Sequence, residues 1–239
     1  MIRIQITLSI VLLAVIASGC QTVRGPMTVQ VHHSSPGTIL ASYQEALAAR
    51  DYSAILDCID PAYRQKYDAL LWSRKSYDDK IKDLDGLLKK QFGADQAQVF
   101  QKKMVKPFEG VGLYLPDGIM QLDVAHVGMI SDSGQLIYPV IDGERSAIAA
   151  KKVGRMWYVA ILEGKEEFAS RARTERLILS DLCEWSEHVT EGIRDRSITS
   201  DNIMDILSLE RMPPRMHVKP GVTEESYLTF PATSRPDRK

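Results

Sequence analysis

Carboxylates, imidazoles, thiols and phenols are the groups in this chain able to do chemistry, and their spacing limits what that chemistry is. Asp123 and His126 fall within "MQLDVAHVGMI", a pairing of the kind used in acid–base catalysis. Period-two patterning places this stretch on a strand, where residues three apart face opposite sides and act together only across a bulge. Nothing nearby completes a catalytic set, so a solvated aspartate with a surface or hydrogen-bonded histidine is the plainer reading. His32 and His33 are adjacent, with no further ligand at metal spacing. "DLDG" at Asp83 to Gly86 lacks the later acidic positions of a calcium loop, and "EGVG" at Glu109 to Gly112 runs into strand-like sequence rather than a nucleotide-binding turn. The chain has no HExxH, GxSxG, P-loop or CxxC motif, and neither a metal nor a cofactor is expected.

Cys58 and Cys183 sit in apolar settings, "ILDCID" and "LSDLCEW". They read either as a disulfide pair or as small buried hydrophobes, because spacing does not show whether two thiols approach. Tyr63 with Tyr67, Trp157 with Tyr158, and Tyr43 are residues that line a hydrophobic cavity or fill an ordinary core.

The elements that position these groups follow from patterning. Ser35 and Pro36 open a helix in which Ile39, Leu40, Tyr43, Ala46 and Leu47 form the inner face and Gln44, Glu45 and Arg50 look outward. Asp51 begins a second helix, and Asp60-Pro61 repeats the cap-and-proline start for a third, whose stripe runs from Tyr63 to Leu88 with a break near Ser73 to Ser76. Asp78/Lys82 is an attractive i,i+4 pair on its outer face and Asp79/Asp83 a repulsive one. Gly93 ends it, and a further helical piece, "DQAQVFQKKMV", precedes Pro107.

From Gly118 the period drops to two: "IMQLDVAHVGMI", "QLIYPVI", "RSAIAAKKV" and "MWYVAIL" are four strands of an antiparallel meander, with Asp142-Gly143 a hairpin turn. An amphipathic helix then covers about Lys165 to Arg194, and a shorter one follows in "SDNIMDILSLERM". Five prolines after Met212 deny that tail a regular element, so disorder is expected there. The fold class is α+β, with N-terminal helices packed on a curved antiparallel four-stranded sheet and additional C-terminal helices.

Composition narrows the partners. With 30 Lys+Arg against 31 Asp+Glu, the near-neutral balance gives no electrostatic reason to bind nucleic acid. The opening "MIRIQITLSIVLLAVIASGC" has the order of a bacterial export signal, and its apolar stretch is shorter than the roughly 20 residues a spanning helix needs. Its end, Ala17-Ser18-Gly19-Cys20, resembles the bacterial lipoprotein signal, with alanine where leucine is commoner. That resemblance implies removal of residues 1–19 and attachment of diacylglycerol to Cys20, usually with a further acyl chain on its nitrogen. Two or more chains anchor stably. It also implies a periplasm-facing protein of the bacterial cell envelope. Gln21, in place of the aspartate that retains some lipoproteins at the inner membrane, mildly favours the outer one. Residues 20–34 then form a spacer, 35–211 the domain with its C-terminal helical extension, and 212–239 the tail.

"ILASYQEALAARDYSAILDCIDPAY" and "KKVGRMWYVAIL" together resemble the nuclear transport factor two-like, or ketosteroid isomerase-like, cone fold over about Pro36 to Leu162. The resemblance places Tyr43 where the isomerases carry a donor tyrosine, but no strand supplies their carboxylate base after the helices. The expected function is therefore a membrane-tethered lipoprotein of non-enzymatic role that binds an envelope protein or a small apolar ligand. The alternative is a cone-pocket enzyme of isomerase or hydrolase type using Tyr43 and Asp123. A third possibility is assembly by strand addition through "ESYLTF" in the tail.

Overall fold

A computed structural model describes residues 27–116, 118–141 and 143–207. The expected signal segment, Cys20 and the tail from residue 212 lie outside the described residues.

Helix α1 (Pro36–Ala49) starts on a reciprocal cap: Ser35 Oγ accepts from the Thr38 N–H while Thr38 Oγ1 accepts from the Ser35 N–H. It stops at Arg50, which adopts a left-handed conformation (φ 51°) and bonds back to the Ala46 and Leu47 carbonyls. Asp51 then caps α2 (Tyr52–Cys58) by accepting from the Ala54 N–H.

Helix α3 (Arg64–Phe92) begins later than the Asp60-Pro61 signal suggests. Asp60 spends its carboxylate on the Ala62 N–H and makes a turn, leaving Tyr63 at the cap position. The expected break near Ser73 to Ser76 does not occur. Both serine hydroxyls donate to carbonyls one turn back, Ser73 to Ala69 and Ser76 to Trp72, a bond that keeps serine inside a helix. After Gly93, α4 (Ala94–Phe100) folds back on α3, widens into a π turn at Gln101–Val105 and ends in a tighter 3₁₀ turn at Lys106–Phe108.

Helix α5 (Lys165–Arg194) has the bounds its periodicity predicts and packs along α3. Tyr67 meets Phe168 near one end, and Lys80 pairs with Glu187 further along both, so the two helices run in the same direction. Their facing stripes, Tyr67, Leu70, Leu71, Ile81, Leu84 and Leu88 against Phe168, Ala172, Ile178, Leu179, Leu182 and Val189, form the middle of the core. A short α6 (Ile203–Ile206) buries Ile203.

Among the described residues the sheet has five strands rather than four. β1 (Gly128–Asp132) pairs antiparallel with β2 (Leu136–Ile141), and β2 pairs with both the short β3 (Glu144–Arg145) and β4 (Ala150–Val153). β4 pairs with β5 (Met156–Val159), giving the order β1-β2-β4-β5 with β3 beside β2. Gly143, at φ 82°, makes the predicted hairpin between Ile141 and Glu144. α1 packs on β4 and β5, and a parallel bridge joins Ile59 to Val159.

Residues 119–127, expected as the first part of a strand, are not one. Ile119–Gln121 form a 3₁₀ turn, and the Ile119 and Leu122 carbonyls accept from Gln44 Nε2 at 2.6 and 2.7 Å. Asp123 then bends the chain, its carboxylate accepting from the Ala125 N–H and its carbonyl from the His126 and Val127 N–H groups. With its carbonyls taken by a side chain and by a turn, the segment has no ladder to join. Gln44, expected to look outward, is the residue that pins it.

Candidate functional site

Two polar constellations emerge, one sealed in the core and one open at the surface. The sealed one surrounds residues 108–114, a stretch outside any sheet ladder that passes between α3 and α5. Buried backbone groups need partners, and side chains supply them. Arg74, fully buried on α3, donates from Nη1 to the Phe108 and Val111 carbonyls at 2.8 and 2.7 Å, and its Nη2 lies 2.9 Å from Asp78. Glu175 on α5 accepts from the Gly112 N–H at 3.0 Å and from Arg171 at 2.9 Å. Arg171 also binds Glu163. Burial pushes the Glu175 carboxyl above its usual range, although Arg171 and the Gly112 N–H pull the other way.

Tyr43 and Tyr67 belong to this set. The Tyr43 hydroxyl donates to the Tyr114 carbonyl at 2.5 Å, and the Tyr67 oxygen accepts from the Tyr114 N–H at 2.7 Å. Both rings are fully buried. Burial raises the Tyr43 phenol well above its ordinary value, with Tyr67 adding to the effect, and burial takes Tyr67 to about 12. Their hydroxyls hold backbone in place.

The open constellation is Asp123 with His126. The bend brings together two residues that a strand would have separated: His126 Nδ1 lies 2.8 Å from Asp123 Oδ2, with side chains 82% and 68% exposed. This corrects their expected placement on opposite faces. The hydrogen bond to His126 holds the Asp123 carboxyl below its ordinary range. The pair stands at the rim of a groove of about 320 Å³, floored by Leu122, Val127, Val140 and Ile141, with Gln121 also at the edge. Among the described residues no serine, threonine, cysteine or lysine lines the groove, and no group of three or more His, Cys, Asp or Glu is placed to bind a metal.

Tyr43 and Asp123 are not brought together, since one is sealed beneath Tyr114 and the other faces solvent. The other aromatic candidates are similarly committed. Tyr63 donates to the Glu163 carbonyl and meets Phe168 edge-on, while Trp157 packs against the core with Lys152 over its ring. None of Tyr43, Tyr63, Tyr67 and Trp157 lines the groove.

Cys58 and Cys183 are free thiols, not a bridge. Cys58 closes α2 close to Tyr43 and Arg64, whereas Cys183 lies on the flank of α5 near Tyr77, Lys80 and Glu187. Burial pushes both thiols up. The expected Asp78/Lys82 pair gives way to a hub in which Asp78 receives Arg50, Tyr52 and Arg74.

Arg74 and Glu175 belong to no sequence motif, yet both leave a trace in the sequence. Arg74 sits in phase with Tyr67, Leu71 and Ile81, and Glu175 in phase with Ala172 and Leu179. A charge in the buried phase of a helix implies a buried partner. Set beside known proteins, the chain matches no family model, no curated protein and no solved structure.

Proposed function

We propose that the protein is a non-enzymatic lipoprotein of the bacterial envelope, tethered through acylated Cys20 and facing the periplasm, that binds a small apolar ligand in the groove beside β1 and β2. The observation that carries the binding role is the groove itself: an apolar floor of Leu122, Val127, Val140 and Ile141 with a hydrogen-bonding pair at its rim. Such a pairing of apolar walls with few polar groups suits a ligand that is greasy along its length and polar at one end. Asp123 and His126 orient that polar end.

The tether rests on the likeness of Ala17-Ser18-Gly19-Cys20 to lipoprotein signals, and an outer-membrane address on Gln21. We also propose a distant relation to the nuclear transport factor two-like cone, supported by the helix-then-sheet order and by the packing of α1 on β4 and β5. In this reading α3 and α5 fill the space that the enzymes of that family leave open. The enzyme alternative draws no support from the separation of Tyr43 and Asp123.

The groove is tested by titrating the protein with 8-anilinonaphthalene-1-sulfonate, an apolar fluorophore with a charged end. The wild type should enhance its emission saturably, and Val127→Trp, which fills the floor, should weaken binding by at least about tenfold. Equal binding by the filled variant would remove the groove from consideration.

A further inference from the structure

The segment ahead of α1, expected to be a spacer, is built into the domain. Thr28 donates from both N and Oγ1 to Asp51 Oδ2, which also accepts from the Val29 N–H. The His32 N–H donates to Ser42 Oγ, and the His33 carbonyl accepts from the Trp157 N–H at 3.0 Å. This arm therefore lies along β5, at one end of the strand order.

The His33 ring completes the attachment. Its Nδ1 is 2.8 Å from the Trp157 carbonyl and its Nε2 is 3.1 Å from Asp57 Oδ2. Both partners only accept. A neutral imidazole has one N–H and leaves its other lone pair aimed at an acceptor, whereas the imidazolium donates to both.

The charged neighbours bear on that choice from three sides. Asp57 on α2 favours the cation directly. Arg64 on α3 opposes it, but its guanidinium is already spread over Asp57 Oδ1 and the Asp57 and Ile59 carbonyls. On the sheet, the Tyr158 ring lies 4.7 Å from the imidazole with Arg64 5.1 Å above it, and Lys152 on β4 faces the Trp157 ring at 5.6 Å. His32, next along the arm, is exposed. Among the described residues, the ionic partner in contact with the His33 ring is the Asp57 carboxylate.

We propose that His33 is a proton-operated latch that closes the N-terminal arm over the β5 edge. The imidazolium ties the arm to both β5 and α2. Loss of one proton leaves a single tie, and the pairing between His33 and Trp157 opens more often. Closure is therefore favoured at low pH and weakens as pH rises and the ring loses its second proton. Opening is local, because Asp51 holds Thr28 and Val29 independently. It bares the Trp157 N–H, which donates to the His33 carbonyl when the arm is closed. The latch does not depend on acylation of Cys20.

Hydrogen exchange of the full chain reads it directly. The Trp157 amide, corrected for intrinsic exchange, should be about 3- to 10-fold more protected near pH 5.5 than near pH 8.5, the worth of one hydrogen bond. His33→Gln, which cannot acquire a second ring proton, should show the lower protection at both. Asp57→Asn, which leaves the Nδ1–H bond to Trp157 but removes the carboxylate, should flatten the step as well. A wild type with equal protection at both values, or either variant retaining the full step, would overturn the latch.

Discussion

Arg74 and Glu175 stand in for a neighbouring strand. Each spends a charged side chain on backbone groups of residues 108–114, and those bonds are charge-assisted, hence stronger than neutral ones. Gly112 makes the arrangement possible. It has φ 82°, and a Cβ added there would sit 2.9 Å from Leu179 and 3.0 Å from Arg74 Cβ. Gly112→Ala therefore combines backbone strain with a clash against two helices, and should destabilise the fold by about 2 kcal/mol. Chemical denaturation checks this; an unchanged midpoint would mean the loop is held less tightly than its hydrogen bonds imply. The tyrosines belong to the same logic, for a hydroxyl bonded to a buried carbonyl is structural before it is anything else.

At the scale of elements, Asp51 joins three pieces of chain: it ends the turn after α1, caps α2 and holds the arm at Thr28 and Val29. Burial alone would raise its carboxyl, but the hydrogen bonds from Ala54, Val29 and Thr28 outweigh it and hold the group below its ordinary range. A depressed carboxyl contributes stability that is fully present above the unfolded-state value and lost as pH falls through the folded one. Asp51→Ala should cost about 2 kcal/mol at neutral pH and much less in acid, measured as the difference in unfolding free energy across that range. A penalty that stayed constant into strong acid would show that the loss comes from packing rather than from the carboxylate.

The same scale shows what patterning could and could not reveal. α1 and α5 were legible because caps and a continuous apolar stripe agree, and the hairpin at Gly143 because its turn chemistry is local. The stretch 119–127 was not, since an alternating pattern cannot show that Gln44, distant in sequence, takes its carbonyls. Nor could it show that Asp123 bends the chain. The groove was hidden for the same reason: it exists only where that bend meets β2. The arm was missed because its partners, Asp51, Ser42, Asp57 and Trp157, lie on α1, α2 and β5 or beside them, and no spacing within residues 28–33 announces them.

For the molecule as a whole, the proposed anchor and the docked arm combine into a constraint on position. A chain reaches at most about 3.3–3.6 Å per residue, so with the arm seated from Thr28 the domain would stay within about 28 Å of an acyl group on Cys20. A ligand for the groove would then be met close to the membrane surface, which suits one that is itself greasy. No described helix is long and apolar enough to cross a membrane. Intact mass spectrometry of the protein extracted from membranes of its expressing cells tests the proposed anchor most directly. The account predicts a chain beginning at Cys20 and heavier than its amino acids by a diacylglyceryl group and a further acyl chain, with Cys20→Ser lacking both and leaving the membrane fraction. An unmodified Cys20 in the membrane-bound protein, or a Cys20→Ser variant that stays there, would contradict it.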